Sequence, residues 1–246
     1  MKPDAIGWVG PDWRMPGVRV VSTLRYGGMS TGAYASLNLA RHVGDQPVAV
    51  TGNRRLLRGF ARLPAEPLWL NQVHGNKVLR HDGAAGTPTA DASVSIERGR
   101  VCAVMTADCL PIALADENGA CVGVVHAGWR GLLSGVIAAT VAALPCRSRQ
   151  LLAWLGPAIS QAAFEVGAEV RDAFVTRSTD FEPAFAPNER GRFQADLYAL
   201  ARTELQALGL TEISGGHWCT FGEPDRFFSF RRDGRCGRMA TLAWLE

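Results

Sequence analysis

Residues 100–127 read RVCAVMTADCLPIALADENGACVGVVHA, and their apolar runs and turns indicate the fold class. An apolar run ends near Thr106, a polar bend follows as far as Cys109, and a second apolar run comes next. Short apolar runs bounded by turn residues are typical of buried strands. The Asn-Gly dipeptide at 118–119 is a strong hairpin signal and leads into a third apolar run, which His126 closes. The stretch therefore predicts three consecutive strands joined by turns.

Helical periodicity of apolar residues marks four other parts of the chain. The segments in which we expect helices are residues 46–63, 132–144, 166–174 and 194–208. Asp45 is a plausible N-cap for the first of these helices. Gly209 supplies a C-terminal stop for the last one.

Two further segments combine strand and turn signals. Residues 67–79 read PLWLNQVHGNKVL and predict two short strands with His74 at the turn between them. Residues 226–245 contain an Asp-Gly pair between two β-rich runs and predict a closing hairpin. Because most neighbouring elements are strands joined by turns, we expect an α/β fold of the α+β type. It would form a single domain over residues 1–246, with a mixed, largely antiparallel sheet core flanked by helices.

The composition is that of an ordinary globular protein, with 47% hydrophobic and 20% charged residues. The formal net charge of +3 is spread along the chain, so it gives no support for nucleic acid as a partner. No apolar run approaches the roughly 18 residues of a membrane span, and residues 1–17 lack the apolar run of a signal peptide. We therefore expect a cytoplasmic protein with no membrane partner and with its six cysteines reduced. The sequence carries no signal for an oligomeric state.

The scarce histidines and one cysteine indicate a candidate site. The chain has only five histidines, and two of them, His74 and His126, each follow a β-rich run at a glycine-containing turn. Cys109 lies in a third such turn between two predicted strands. Because strand ends present side chains to a shared cleft, these three residues are candidates for convergence. Two imidazoles and one thiolate form a ligand set that catalytic zinc sites use, with the fourth position left for water or substrate.

Two other interpretations of these residues stay open. Cys109 is also a candidate nucleophile, with His126 as its base and Asp108 or Asn71 as the group that orients the base. Two histidines and a cysteine with a weak axial methionine make a blue-copper centre, and Met105 lies close in the sequence.

Arginines are candidates for binding an anionic group of a substrate. Arg25, Asn38 and Arg41 occur in a loop-rich segment with many small residues, which suits a phosphate or a carboxylate. Arg130 lies beside a glycine at a predicted helix start, where anions are favoured. Three arginines near the predicted terminal hairpin are interpreted instead as an exposed charged edge: Arg231, Arg232 and Arg238.

Several motifs occur together in a recognisable order. They are NQVHG (71–75), ADCLP (107–111), HAGWRG (126–131), GPAIS (156–160) and FFSFRRDGRCGR (227–238). From about Arg25 to the C-terminus the chain resembles the multicopper polyphenol oxidase or laccase-domain family. Members of that family are also described as purine nucleoside phosphorylases and, in some bacteria, as a peptidoglycan editing factor. The resemblance implies a β-sandwich-like core and a zinc ion bound by His74, Cys109 and His126.

The resemblance also implies activity on purine nucleosides. The implied reactions are phosphorolysis of adenosine, inosine, guanosine and methylthioadenosine with inorganic phosphate, and hydrolytic deamination of adenosine. Water activated by zinc suits the deamination. Phosphorolysis needs a positioned phosphate, for which Arg25, Arg41 and Arg130 are our candidates. The polar candidates for substrate contact or for support of the ligands are Asn38, Gln72, Asp91 and Asp108.

Alternative functions accompany this expectation. They are a peptidoglycan-editing hydrolase that acts on a muropeptide precursor, a copper-dependent polyphenol oxidase, and a zinc-stabilised interaction domain without activity. Five histidines are too few for the copper cluster of a true laccase, so copper remains only a single-ion alternative to zinc. Two residues depart from the family pattern, namely Ser160 in place of a glycine and Cys236 in place of a threonine. Neither residue is an implied ligand.

Overall fold

The computed structural model of the chain describes residues 6–13, 15–83 and 86–246. Its strands are β1 (Trp8–Val9), β2 (Val18–Thr23), β3 (Val78–Arg80), β4 (Ala92–Ser95), β5 (Cys102–Thr106), β6 (Leu110–Asp116), β7 (Val122–Ala127), β8 (Leu151–Leu155), β9 (Glu165–Val166), β10 (Phe185–Pro187), β11 (Phe193–Ala195), β12 (Glu212–Gly215) and β13 (Met239–Leu245). Its α-helices are α1 (Pro47–Phe60), α2 (Trp129–Leu133), α3 (Val136–Ala143), α4 (Ala168–Arg177), α5 (Leu197–Ala207) and α6 (Phe230–Asp233). Within the described ranges, every helix is too short or too polar to span a bilayer.

Two larger sheets form the layers of the core. The six-stranded sheet has the order β12-β8-β6-β7-β4-β3, with antiparallel pairs in its middle and a parallel pair at each edge. The four-stranded sheet β1-β2-β13-β5 is antiparallel, and β10-β11-β9 form a smaller sheet. One buried apolar cluster joins the two larger sheets, because it contains Val104 and Ala243 from one and Val122 and Val124 from the other. Helices α3 and α5 belong to the apolar cluster on the other side of the six-stranded sheet. The predicted fold, a mixed, largely antiparallel core flanked by helices, is confirmed.

Residues 100–127 form the three predicted strands. β5 is followed by a bend, and β6 and β7 form an antiparallel hairpin. Gly119 supplies the positive φ of 71° in the hairpin turn, and Asp116 accepts two backbone N–H groups of that turn. The hairpin register pairs Pro111 with His126. Cys109 immediately precedes β6, so the hairpin itself brings the cysteine near the histidine.

The predicted helices are present with shifted ends. α1 has Gln46 as its N-cap, whereas the predicted cap, Asp45, accepts a hydrogen bond from the Asn38 side chain. The helix predicted over residues 132–144 is divided into α2, which begins before the predicted start, and α3. The division falls at Gly135, whose φ of 80° is incompatible with a continuous α-helix.

Two strand predictions are wrong. Of the two strands expected within residues 67–79, only the second is present, as β3. The first part forms isolated bridges, and the amides of residues 73 to 75 bind the Asp91 carboxylate instead of a neighbouring strand. The C-terminal segment is not a hairpin, because α6 and a loop precede β13, which lies inside the four-stranded sheet. The Asp-Gly pair of this segment ends α6, because Gly234 has a φ of 64°. A glycine with positive φ can end a helix as well as form a hairpin turn.

Candidate metal centre and cleft

The structure brings His74, Cys109 and His126 together at one end of the central hairpin. Cys109 precedes β6, His126 is the penultimate residue of β7, and His74 occupies a turn with a φ of 59°. One potential ligand atom from each side chain lies within 4.8 Å of the others. The centroids of the two imidazole rings are 4.7 Å apart. Atoms this close can share a single metal ion, and two nitrogens with one sulfur form a donor set that zinc accepts.

Asp91 organises this centre from behind. It is fully buried, and its carboxylate accepts the backbone N–H groups of Val73 at 3.2 Å, His74 at 2.9 Å and Gly75 at 2.7 Å. The same carboxylate lies 2.8 Å from Nδ1 of His126. The hydrogen bond to Nδ1 leaves Nε2 of His126 as the nitrogen that can bind a metal. One carboxylate therefore fixes both the turn that carries one ligand and the orientation of another.

The ionisation of these groups follows from burial and from their close contacts. Burial alone would raise the pKa of Asp91, but hydrogen bonds from His126 and from backbone N–H groups hold it below its usual value. Burial would lower the pKa of His126, but the charges of Cys109 and Asp91 and hydrogen bonds to both raise it to about 9. Burial and the neighbouring His126 lower the pKa of His74. A metal ion that binds here at neutral pH must therefore displace a proton from His126.

Glycines of the HAGWRG motif give the centre its space. A Cβ atom on Gly128 would lie 3.0 Å from Sγ of Cys109 and 3.3 Å from Nδ1 of His74. A Cβ atom on Gly131 would lie 3.2 Å from the carbonyl oxygen of Gly75, so α2 packs against the turn that carries His74. In the sequence these glycines are noticeable only because they follow the candidate ligand His126 within one motif. That they make room for the side chains of the centre is visible only in the structure.

The three side chains line a cavity of 240 Å³. The other residues that give this cavity its character are His42, Gln72, Met105, Thr106, Phe230 and Arg238. The ring of Phe230 is 57% exposed, and the Arg238 guanidinium lies 5.6 Å from its centroid. The sequence interpretation of Arg238 as part of an exposed hairpin edge is wrong, because the hairpin is absent and the residue is half-buried in the cleft wall.

Two of the predicted polar residues, Gln72 and Asp108, form hydrogen bonds with the chain segments around the metal centre. Gln72 lines the cavity, but its amide exchanges two hydrogen bonds of 2.8 Å with the backbone of Met105. Asp108 is buried with a φ of 87°, and it accepts hydrogen bonds from the Thr220 hydroxyl and the Arg231 amide, both at 2.6 Å. These bonds assign both side chains a supporting position, and their contact with a substrate stays a prediction.

Arg25 and Asn38 lie outside the lining of the cavity. The Arg25 guanidinium donates to the carbonyls of Ala35 and Pro224, and burial lowers its pKa. Asn38 is fully buried, and its side-chain oxygen accepts the backbone N–H of Arg238 at 3.0 Å. Asn38 therefore reaches the cleft only through the segment that carries Arg238.

Arg41 and Arg130 are exposed, and neither of them lines the cavity. The guanidinium of Arg130 lies 4.4 Å from the ring centroid of its neighbour Trp129. The structure therefore does not bring Arg25, Arg41 or Arg130 into the cavity wall, and their role in phosphate binding stays a prediction.

The two departures from the family pattern lie apart from the candidate ligands. Ser160 donates a hydrogen bond of 2.9 Å to the thiol of Cys219. Cys236 is buried, and its sulfur lies 3.4 Å from Nη1 of Arg238. All six cysteines are free in the structure, and the sulfurs of Cys121 and Cys146 lie 3.2 Å apart.

Comparison with known proteins gives this site a family context. Residues 19–246 match the family model described as multi-copper polyphenol oxidoreductase laccase. The chain is 50% identical over 241 residues to a purine nucleoside phosphorylase of Pseudomonas aeruginosa, with 97% of this chain and 98% of that protein covered. It is 47% identical over 237 residues to a purine nucleoside phosphorylase of Escherichia coli, with 96% and 97% covered.

A solved structure of a Neisseria meningitidis protein matches the fold with a TM-score of 0.94 and 48% identity, over 97% of this chain and 99% of that one. The structure of YlmD from Geobacillus stearothermophilus matches with a TM-score of 0.88 and 29% identity, over 99% and 97% of the two chains. Since sequence and fold agree along nearly its whole length, the chain belongs to the multi-copper polyphenol oxidoreductase laccase family.

Proposed function

We propose that this protein is a zinc-dependent purine nucleoside phosphorylase that also deaminates adenosine. The observation that carries the proposal is the convergence of His74, Cys109 and His126 on the wall of one cavity, with Asp91 behind them. Relatives at 50% and 47% identity bear the name purine nucleoside phosphorylase, which supports nucleosides and inorganic phosphate as substrates. The cytoplasmic location expected from the sequence stays a prediction.

The donor set fits zinc. His74 and His126 offer imidazole nitrogens, Cys109 offers sulfur, and the cavity in front of them leaves space for a further ligand. Copper accepts the same donors, and Met105 lines the same cavity. A blue absorption band together with stoichiometric copper would favour that second candidate and an oxidoreductase function.

The cleft offers a surface for a purine beside the candidate metal centre. Phe230 exposes its ring at the cavity, and aromatic rings stack on nucleobases without requiring a particular base. Such stacking suits the broad range of purine nucleosides that the family resemblance implies. Around the candidate metal centre, the hydrogen bonds of Gln72 and Asp108 hold the surrounding backbone in place.

Phosphorolysis requires groups that position two substrates and stabilise the developing charge, and the candidate metal centre would be one of them. An oxygen of dihydrogen phosphate forms a bond to C1′ of the ribose while the bond from C1′ to N9 breaks. The electron pair of that bond leaves on the purine nitrogen, which takes up the proton that the phosphate loses. The products are the free base and ribose 1-phosphate, so the protein contributes orientation and stabilisation of the developing charge.

Deamination uses water in place of phosphate and converts adenosine and water into inosine and ammonia. A zinc ion, when bound, would supply Lewis-acid activation of water at neutral pH. The contribution of the chain is to orient the ligands through Asp91 and to hold the adenine against the cavity, with the exposed ring of Phe230 as the stacking surface.

The test is to incubate the protein with adenosine, with and without inorganic phosphate, and to resolve the products. We expect ribose 1-phosphate only when phosphate is present, and inosine under both conditions. Cys109→Ala should abolish both products, whereas Cys146→Ala, at a thiol outside the cavity, is the matched control. If the metal-loaded wild type forms neither product, the proposal is wrong, and hydrolysis of a muropeptide precursor becomes the next activity to assay.

A further inference from the structure

We infer that a second cavity beside the candidate metal centre, which we call the basic pocket, binds inorganic phosphate. His42, Phe230, Arg235 and Arg238 line this pocket, whose volume is 360 Å³. The inference rests on the proposed function, because it assigns the site of the second substrate of phosphorolysis.

The basic pocket and the cavity of the metal centre form one cleft. His42, Phe230 and Arg238 belong to the walls of both. A molecule in one cavity is therefore next to a molecule in the other, because the two cavities share these wall residues. Such an arrangement is required when a phosphate oxygen must reach the ribose carbon of a nucleoside held at the metal centre.

The arginines of the basic pocket have no carboxylate partner within the part of the chain that the structure describes. Among the described residues, no aspartate or glutamate lines either cavity. Arg235 and Arg238 form no salt bridge within the described residues. Arg235 instead donates to the Tyr34 hydroxyl and, at 3.0 Å, to the carbonyl of Gly44. These partners orient the guanidinium and leave its charge available to an anion.

Arg238 has the geometry of a preformed anion clamp. Its Nη1 donates to the carbonyls of Cys236 at 2.9 Å and Gly237 at 3.0 Å. Its Nε and Nη2 form no hydrogen bond to the described part of the chain. These two nitrogens make up one edge of the guanidinium, and that edge matches two oxygens of a phosphate.

The backbone around Arg238 is held rigidly. Asn38 accepts the N–H of Arg238 at 3.0 Å. A Cβ atom on Gly237 would lie 2.6 Å from the Phe228 ring and 2.9 Å from Cβ of Asn38. The segment therefore packs closely against buried side chains, which reduces the entropy lost when the guanidinium binds a ligand. Asn38 is thus a positioning residue for the basic pocket.

The experiment measures the affinity of inorganic phosphate for the metal-loaded protein by isothermal titration calorimetry. Loss of a charge-assisted, two-pronged hydrogen bond in Arg238→Gln should raise the Kd about tenfold or more. Arg235→Gln should also weaken binding, and it removes no contact of the Arg238 backbone. Arg238→Lys keeps the charge without the fork and should fall between Arg238→Gln and the wild type. Arg58→Gln, at an exposed arginine of α1 outside both cavities, is the matched control.

Turnover by the same variants separates this inference from the proposed function. In Arg238→Gln the KM for phosphate should rise by the same factor as the Kd, with a loss of phosphorolysis that exceeds any loss of deamination. A wild type that binds no phosphate, or an Arg238→Gln protein with unchanged Kd, overturns the inference. If phosphate binding depends on Arg238 but no ribose 1-phosphate is formed, the phosphate site stands and the proposed phosphorylase function is wrong.

Discussion

The two halves of the cleft are built in different ways. The metal floor consists of His74, Cys109 and His126 on strand ends and a turn, with the buried Asp91 joining them through hydrogen bonds. The other half, which we call the mouth, consists of the basic-pocket residues Phe230, Arg235 and Arg238. Backbone carbonyls and the Tyr34 hydroxyl hold the two arginines in place. In a network joined by one buried carboxylate the loss of one member affects all the others, whereas groups with separate anchors act more independently. We therefore expect floor substitutions to abolish activity and mouth substitutions to change affinity by degrees.

The largest effect should come from Cys109→Ala. This change removes the only sulfur donor of the candidate centre, so we expect the rates of both reactions to fall by more than about a hundredfold, beyond the loss typical of a supporting residue. The measurement is the initial rate of ribose 1-phosphate and inosine formation at saturating adenosine. A variant that keeps both rates would show that the floor is not the reacting centre.

Asp91→Asn should have the next largest effect. The amide keeps the volume but cannot accept hydrogen bonds at both of its ends, so the His74 turn and the His126 ring lose their common anchor. We expect zinc affinity to fall about 10- to 100-fold, as for other groups that orient a metal-binding histidine. Zinc competition with a chromophoric chelator measures this effect. Asp82→Asn, at an exposed carboxylate outside the cavity, is the control, and equal affinities in the two variants would contradict the account.

Phe230→Ala tests the mouth. Removing the exposed ring should raise the KM for adenosine about tenfold, because stacking on one base contributes about 1–3 kcal/mol. Metal content should stay at the wild-type value, since Phe230 is not part of the floor. Phe60→Ala, at another exposed ring, should leave the KM as it is. A drop in metal content of the Phe230 variant would remove the distinction between floor and mouth.

The last expected effect, of no more than about tenfold per unit of pH for each displaced proton, is a dependence of zinc affinity on pH. The pKa of His126 in the metal-free protein is raised to about 9, so the ring carries a proton at neutral pH that the metal must displace. Below that pKa, lowering the pH by one unit should weaken zinc binding by up to about tenfold per displaced proton. Zinc titrations in steps between about pH 8 and pH 7 measure this slope. An affinity that does not change over this interval would contradict the proposed ionisation of the pair formed by Asp91 and His126.

The floor could be predicted from the sequence, whereas the mouth could not. His74 and His126 follow apolar runs at glycine-containing turns, and Cys109 lies in a bend between two apolar runs. These local signals predict convergence because strand ends present their side chains to a shared cleft. The sequence wrongly predicts Arg238 at the edge of a hairpin, because the Asp-Gly pair before it ends α6 instead of forming a hairpin turn. A glycine with positive φ is found in both kinds of structure, so the dipeptide alone does not distinguish them. The separation of Arg25 and Arg130 from the cavity depends on tertiary contacts, such as the carbonyl partners of Arg25, which leave no pattern in the sequence.

The central claim is that the floor holds the catalytic metal. Elemental analysis of protein purified without added metal tests it most directly, with the wild type, Cys109→Ala and Cys146→Ala in parallel. The account predicts about one zinc per chain in the wild type and in Cys146→Ala, and none in Cys109→Ala. An active wild-type protein that contains no metal and loses activity when Cys109 is alkylated would contradict the account and identify the cysteine as a nucleophile.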